Sequence, residues 1–512
     1  MKRSTFAMLA LAATAVCFGQ SASLPQVTLP PAVGPFPKPD KPVLKSPTLS
    51  QVSPSLAGKP LTLSDAIAVA LSTSPALAQA SQNLYLSEGR VGEANAYFYP
   101  VFSVTPQEDY VKRIAAPAYI AAATLPIDIS HLLGAALDQA HFEEVQARLD
   151  VNRVRNDLVY NVTNAFFAKL RADALLNVST EDLQNSLDRQ YDAQARYAVR
   201  AVAFLDVVRA ETDVANAKRN VIQAQASVTT ATANLANAMG IQITENLSLT
   251  AGNSVQEPPG VPPPSNEPPP ANHGPIPPKP DGEAVKIAAQ SALALTLGPD
   301  FQNDLTEALA TRPEVLEADA GISAAEQGVQ IAQRSILPSF SITGGYYDLR
   351  TQSGSYVNEP QVYVGLSIPV FEGGLARSRV KEARATVASA KTDRRQAEDN
   401  VSLDVQQAYL GELQAQEQVR VANQVLSAAR TAFNIAKVRY ETGVSSTAGI
   451  SPLLEVSDAQ AALTLAEQNQ VNAIYDYNSA RAQLERSVGR FAYVANAPGY
   501  SAAPPVKTTG QK

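Results

Sequence analysis

Two periodicities follow one another along the chain, in the same order twice. Phe340, Ile342, Gly344 and Tyr346 alternate with polar or small residues, and the alternation resumes at Val362, Val364, Leu366, Ile368 and Val370. Between them lies a Gly/Ser/Asn-rich stretch from Ser353 to Glu359. A period of two predicts a hairpin, each strand about ten residues long. The earlier copy is Val101 to Tyr110 with Tyr119 to Leu125, blunted by Pro106 and a run of alanines. After each hairpin the spacing becomes helical. Ala135 to Met239 is 105 residues without Gly or Pro, and Leu375 to Thr442 is interrupted only by Gly411. Such spans, rich in Ala, Leu, Gln and Arg, predict very long helices. In the later span Ala415, Val419, Ala422, Leu426, Ala429, Phe433, Ala436 and Tyr440 step as a heptad seam. A second seam, Val421, Val425, Ala428, Ala432 and Ile435, runs one residue out of phase. Neighbouring helix positions differ by about 100°, so this helix presents apolar faces to two neighbours, as in a sheet or tube of helices.

The chain repeats itself. Ser74-Pro75 answers to Arg312-Pro313, and Tyr99-Pro100 to Leu337-Pro338, both 238 residues on. Leu125-Pro126 answers to Ile368-Pro369 and Arg196-Tyr197 to Arg439-Tyr440, both at 243. Leu235 with Met239-Gly240 answers to Leu484 with Val488-Gly489 at 249. The two changes of offset are short insertions of the kind loops absorb. From proline to tyrosine each copy keeps 71 residues, about 100 Å as helix, which implies a ruler-like structural job. Twelve of the 36 prolines fall in residues 257–281, a composition that favours an extended spacer with nothing to bury. The expected organisation is a signal peptide at 1–23, a Pro-rich segment at 24–60 and a first repeat at 61–240. A Pro-rich linker at 241–298, a second repeat at 299–489 and a tail at 490–512 complete it. The fold class is mostly α with a small β part, in two tandem repeats.

Composition narrows the function. Lys2 and Arg3, the apolar Phe6–Phe18 stretch and small residues at Ser21 to Ser23 read as an export signal. Cys17 could be read as a lipidation site, but the bulky Val16 before it argues against that, and the plainer reading is that it leaves with the signal peptide. A net charge of −7 without a basic block excludes a nucleic-acid partner. One Cys and three His (His131, His141, His273) without a close helical pair leave no expected metal site. Met239, alone outside the signal region, argues against a thioether copper relay. No nucleophile–His constellation points to an enzyme, and no cofactor is implied. No apolar run spans a bilayer as a helix. Strands of about ten residues can cross one, but four per chain cannot close a barrel, since the smallest have about eight. If they cross an outer membrane, several chains share one barrel.

At this point the residues resemble the TolC-like outer-membrane efflux proteins. The opening Leu61-Thr62-Leu63-Ser64-Asp65-Ala66-Ile67-Ala68-Val69-Ala70-Leu71 with Ser74-Pro75 is similar to the family's start, and Leu305 to Leu309 with Arg312-Pro313 is its second copy. Ser335-Ile336-Leu337-Pro338-Ser339-Phe340 and Ile368-Pro369-Val370-Phe371-Glu372-Gly373-Gly374 resemble the strand entry and exit. Arg439-Tyr440-Glu441-Thr442-Gly443 resembles the helix-tip motif. The resemblance implies a homotrimer with a shared twelve-strand barrel in outer-membrane lipid and a periplasmic α-barrel. It implies a passive duct served by a periplasmic adaptor and an inner-membrane pump or secretion ATPase, and gated at the helix tips. The rival reading is a periplasmic coiled-coil scaffold or adaptor without channel activity.

The resemblance also assigns positions. Asp206 and Tyr440 match closed-state gate contacts; Ser445 stands where the family often has Arg, and Arg200, at the first repeat's turn position, is the candidate replacement. Glu455 and Asp458 match acidic positions lining the narrowest tunnel, which would form stacked carboxylate rings favouring cations. Gly443 suits a left-handed cap after the helix. Pro126 and Pro369 suit the strand-to-helix transition, with Gly373 and Gly374 letting the chain turn where Ser130-His131 offers less freedom. His131 is then a structural interface residue and His141 an ordinary helix residue.

Overall fold

The structure, a computed structural model, describes residues 52, 59–107, 118–242, 247–252, 254–264, 298–350, 356–442 and 452–490. The expected signal peptide, Cys17, His273, Gly443, Ser445 and the C-terminal tail beyond Arg490 lie outside the described residues. Each repeat has the same order of elements. The first holds α1 (Leu63–Thr73), α2 (Pro75–Ala96), β1 (Val101–Gln107), β2 (Ala118–Ile127), α3 (Leu132–Ala198) and α4 (Phe204–Ala238). The second holds α5 (Pro299–Thr311), α6 (Pro313–Arg334), β3 (Ser339–Arg350), β4 (Tyr356–Ser367), α7 (Leu375–Thr442) and α8 (Pro452–Val488).

The proline markers are helix junctions. Thr62 opens α1 with a capping box to Asp65. Ser74 closes α1 and caps α2, with Pro75 in the first turn, where a missing N–H costs nothing. Between α5 and α6 Arg312 closes one helix and precedes the next without a side-chain cap, and Pro313 again takes the first turn. The second pair of markers, Pro100 and Pro338, stands directly before β1 and β3.

The four strands form one antiparallel sheet, β1-β2-β3-β4, so the two hairpins pair side by side through β2 and β3. Strand ends depart from the sequence expectation. β4 starts at Tyr356, inside the expected turn, and stops at Ser367, so Ile368 and Val370 fall beyond it. Pro369, with no N–H to give, follows the last paired residue. Pro126 lies inside β2 opposite Ser341, past the level of Thr124 where β1 pairing ends.

The long helices α3 and α7, 67 and 68 residues, carry shorter helices end to end. In the half near the sheet α2 packs on α3, while α6 fills the groove between α3 and α7. In the far half α4 pairs with α3, and α8 lies between α7 and α3. The main core sits mid-length, where α1 and the end of α4 enclose Val159, Val162, Phe166, Phe167 and Leu170 of α3. The second repeat builds a smaller equivalent from Phe301, Ala308, Val315, Val401, Val405 and Val488. Gly240 and Gly489 end α4 and α8 with positive φ. An added Cβ at Gly240 would stand 3.1 Å from the Thr73 carbonyl, and at Gly489 3.0 Å from Thr311 Oγ1.

After α4 the chain turns back along the helices. Leu61 and Leu249 form a parallel bridge. The linker segment 254–264 then crosses α7 and α8, with Val261 packed among Ala415, Val419, Ala422, Ala473 and Tyr477.

Candidate functional site

Directly paired residues share a face of an antiparallel sheet, so the register sorts the side chains into rows. Phe102, Ala123, Gly344 and Val362 form one row, Leu125, Ile342 and Val364 the next, and Ile127, Phe340 and Leu366 a third. The rows between read Val101, Thr124, Thr343, Tyr363 and Ser103, Ala122, Gly345, Gln361. One face is apolar and exposed, with Phe102, Val362, Val364 and Leu366 all open. The other is polar, with the Thr124 and Thr343 hydroxyls 3.1 Å apart. An apolar face set against a polar one is the alternation that walls of water-filled barrels carry. Among the described residues β1 and β4 each leave an edge unpaired.

The helical wall has matching open faces. The second α7 seam, Val421, Val425, Ala428, Ala432 and Ile435, is exposed along its length. α4 carries an exposed heptad seam of its own, Leu205, Val208, Thr212, Ala215, Arg219, Ile222, Ala226 and Thr229. The first α7 seam is buried against α8. Among the described residues no helix is long and apolar enough to cross a membrane.

At the far end of the long helices Tyr440 of α7 enters a cluster of Ala193, Val207, Ala210, Leu453 and Val456. The Arg196 guanidinium lies 4.1 Å from its ring centroid and donates to the Tyr440 carbonyl at 3.1 Å. One side chain of α3 therefore holds the last turn of α7 by both ring and backbone. The Tyr440 hydroxyl is buried and has no hydrogen-bond partner among the described residues. Burial pushes its phenol up, Arg196 opposes this, and Asp192 and Asp206 add to it. Asp206, buried in the first turn of α4, has Arg209 at 3.8 Å. One level away Arg189 is half-buried, and desolvation lowers its pKa against the pull of Asp182 and Asp213. Asp213 accepts from Ser457 at 2.6 Å and Asp182 from Thr464 at 3.1 Å, so the polar layer joins α3 and α4 to α8.

The structure thus brings Asp206 and Tyr440 into one cluster and adds Arg196 and Arg189, which sequence reasoning missed as site residues. The signal was present: Arg196 belongs to the Arg-Tyr pair that marks the repeat. Arg200 sits on the exposed tip turn with φ 58. It takes the left-handed cap that glycine usually fills, with Ala201 N–H donating to Arg196 O at 2.8 Å. Glu455 lies in the first turn of α8, its carboxylate 3.8 Å from Arg439. Asp458 is exposed one turn on. Gly373 and Gly374 both have positive φ before α7. At the equivalent start of α3 His131 itself adopts φ 55, supplying the turn its sequence was expected to hinder. Its carbonyl accepts from Arg334 at 2.8 Å. His141 lies 3.5 Å from Glu144 on its own helix.

Known proteins match both halves of this architecture. The sequence model of the family described as outer membrane efflux protein matches residues 66–241 and 305–490. Outer membrane protein TolC of Vibrio cholerae is 28% identical over 189 residues, 34% of this chain and 40% of that protein. Protein CyaE of Bordetella pertussis is 24% identical over 406 residues, covering 77% of each. The chain spans about two fifths of the length of the first curated relatives it matches. Among solved structures, CusC superposes with a TM-score of 0.66 at 17% identity, over 84% of this chain and 92% of that one.

Proposed function

The chain belongs to the outer membrane efflux protein family, and from that premise we propose that three copies form one exit duct of a tripartite efflux or type I secretion system. Three four-stranded sheets share a barrel in the outer membrane, and the long helices continue it as a tube through the periplasm. The observation that carries this reading is the set of open faces on one copy. The exposed seams of α4 and α7 and the unpaired edges of β1 and β4 are each complementary to the other when copies stand side by side. A sheet edge in lipid must be paired, and an apolar helix seam in water is better covered. A periplasmic scaffold accounts for the long helices but leaves the apolar sheet face and both edges in water.

The repeats act as wall segments at about 61–240 and 299–489, joined by the linker at 241–298, with residues 1–23 as the export signal. The duct carries cargo passively. A periplasmic adaptor and an inner-membrane pump or secretion ATPase supply recognition and energy. Asp206, Tyr440 and Arg196 hold the periplasmic tips closed, and Glu455 and Asp458 present carboxylates near the entrance. Mature protein extracted from outer membranes in mild detergent is expected to sediment as a particle of three copies; a stable single copy overturns the reading.

The tip contacts give a sharper expectation. Arg196→Met removes both holds on Tyr440, a cation–π contact and a hydrogen bond each worth about 1 kcal/mol. Closed-state conductance in planar bilayers should rise several-fold. Arg200→Gly relieves a left-handed backbone that costs roughly 1–2 kcal/mol in a non-glycine residue, so it should raise the melting temperature. If Arg200→Ser opens the pore and Arg196→Met does not, Arg200 is the gate cation.

A further inference from the structure

Mid-way along the helices, far from both the sheet and the tips, the C-terminal half of α8 holds a group of charges that the duct does not use. Glu485 points into the packing between α8, α3 and α7. Its Oε2 is buried with no hydrogen-bond partner among the described residues, and the residue lines a cavity of about 10 Å³ with Val159, Tyr160, Thr163, Arg486 and Arg490, about the size of one water site. Arg481, one turn earlier, approaches its carboxylate to 3.4 Å.

The other charges around it are already engaged. Arg490 binds Asp304 at 2.9 Å and also Glu307, both on α5. Arg486 binds Asp157 of α3 at 2.6 Å and lies over the Tyr160 ring. From α7 the facing group is another acid, Glu412, whose carboxyl burial also pushes up. Tyr477 on α8 stands near Glu412 and Arg481. On α3 the Thr163 hydroxyl donates to Val159 O at 2.7 Å. Arg481 thus serves two acids, Glu485 and Glu412.

Arg481 also reaches the linker segment, where its guanidinium donates to the Gln256 side chain. One turn away Asn478, 0% exposed, accepts from Gln256 N at 2.9 Å and donates to Gln256 O at 3.0 Å. Further on, Gln416 donates to Pro259 O at 3.2 Å and Asn423 to Pro262 O at 3.0 Å, both from α7. Gln470 of α8 donates to Asn423 at 3.1 Å. The segment is therefore tied to both helices by side chains that reach its backbone, a strap across the α7–α8 pair.

We infer that this strap is a proton-set clasp: with Glu485 protonated the strap and α8 are locked together, and ionised Glu485 loosens them. The chemistry is that of a buried carboxyl. Neutral Glu485 leaves Arg481 to Glu412 and Gln256. Ionised Glu485 is a desolvated charge beside a second acid, and opening the strap admits water to it. Burial, with Glu412 adding to it and Arg481 opposing, raises the Glu485 carboxyl to about 7. In the opened state it returns toward the ordinary carboxylate range. The closed form therefore binds the proton more tightly, so its stability is full in acid and falls as pH rises through the interval up to about 7, then levels off. The clasp acts on the mid-length joint and does not depend on the duct reading.

Hydrogen exchange of the full-length protein in detergent tests this, with rates corrected for the intrinsic pH dependence. Protection in residues 254–264 and 470–485 should fall about ten-fold or more between pH 5.5 and pH 7.5 and then flatten. Glu485→Gln should hold the acid level of protection across that range. Glu412→Gln, which removes the neighbouring charge, should shrink the pH effect without abolishing it, and it keeps the test decisive if the Glu485→Gln variant misfolds. Protection that does not change with pH, or that changes equally in Glu485→Gln, overturns the proposal.

Discussion

Replacing Val425 and Ile435 together by glutamate is expected to leave the protein as single, folded copies. Both side chains are nearly half open in one copy, at 47% and 48% exposure, so each glutamate stays solvated while the chain is alone. In the tube proposed above the same positions would face the neighbouring copy, where an unpaired carboxylate costs several kcal/mol. Three equivalent interfaces multiply the effect. Ile222→Glu on α4, at 66% exposure, should do the same from the other side of the joint. Size measurement in mild detergent together with far-UV circular dichroism checks both parts. Helix content should be unchanged and the large particle absent; an intact assembly in the double variant would mean that these seams are not where copies meet.

Phe166→Ala should produce the largest loss of stability from a single substitution. Phe166 is 0% exposed and packs at mid-length of α3 beside Phe167, ring centroids 6.3 Å apart. It meets α1 and the end of α4 in the same core. Truncation removes apolar burial and leaves a cavity that long, rigid helices cannot collapse into, at about 3–5 kcal/mol. Phe301→Ala, in the smaller equivalent core, should cost less because that core encloses fewer residues and the partly buried Tyr409 ring lies against Phe301. Thermal unfolding followed at 222 nm compares the two. A Phe166 variant melting as high as the wild type would show that the mid-length core is not what ties α1, α3 and α4 together.

Much of the fold is legible in the sequence because its punctuation is physical. Ser74-Pro75 and Arg312-Pro313 are helix junctions, since proline fits a first helical turn and little else in a helix. The alternation at Phe340 to Tyr346 survives as β3, one residue per face. The helix-seam reading of α7 is equally direct: one seam is buried against α8 and the other stands open. Strand ends were less legible. Tyr356 to Glu359 resemble a turn in composition but extend β4, because pairing with β3 continues there. The break at Arg200 carries no glycine, and only the backbone geometry reveals its left-handed cap.

Side-chain partnerships across the fold were the least legible. Arg196 and Tyr440 are 244 residues apart, and although Arg196 stands in the Arg-Tyr repeat marker, nothing in that pair shows that its guanidinium meets the Tyr440 ring. Asn478 looks like a solvated helix residue in sequence, yet it is fully buried because a distant linker turns back over it. The acidic pair Glu455 and Asp458 separates in the structure, the first beside Arg439 and the second exposed.

A gated duct with carboxylates near its entrance stands or falls on the single-channel conductance of the purified mature protein in planar bilayers, with divalent cations titrated on the periplasmic side. The expected record is a low, stable conductance that added cations block, with the block relieved in Glu455→Ala/Asp458→Ala. Folded, membrane-extracted protein that conducts nothing would contradict it.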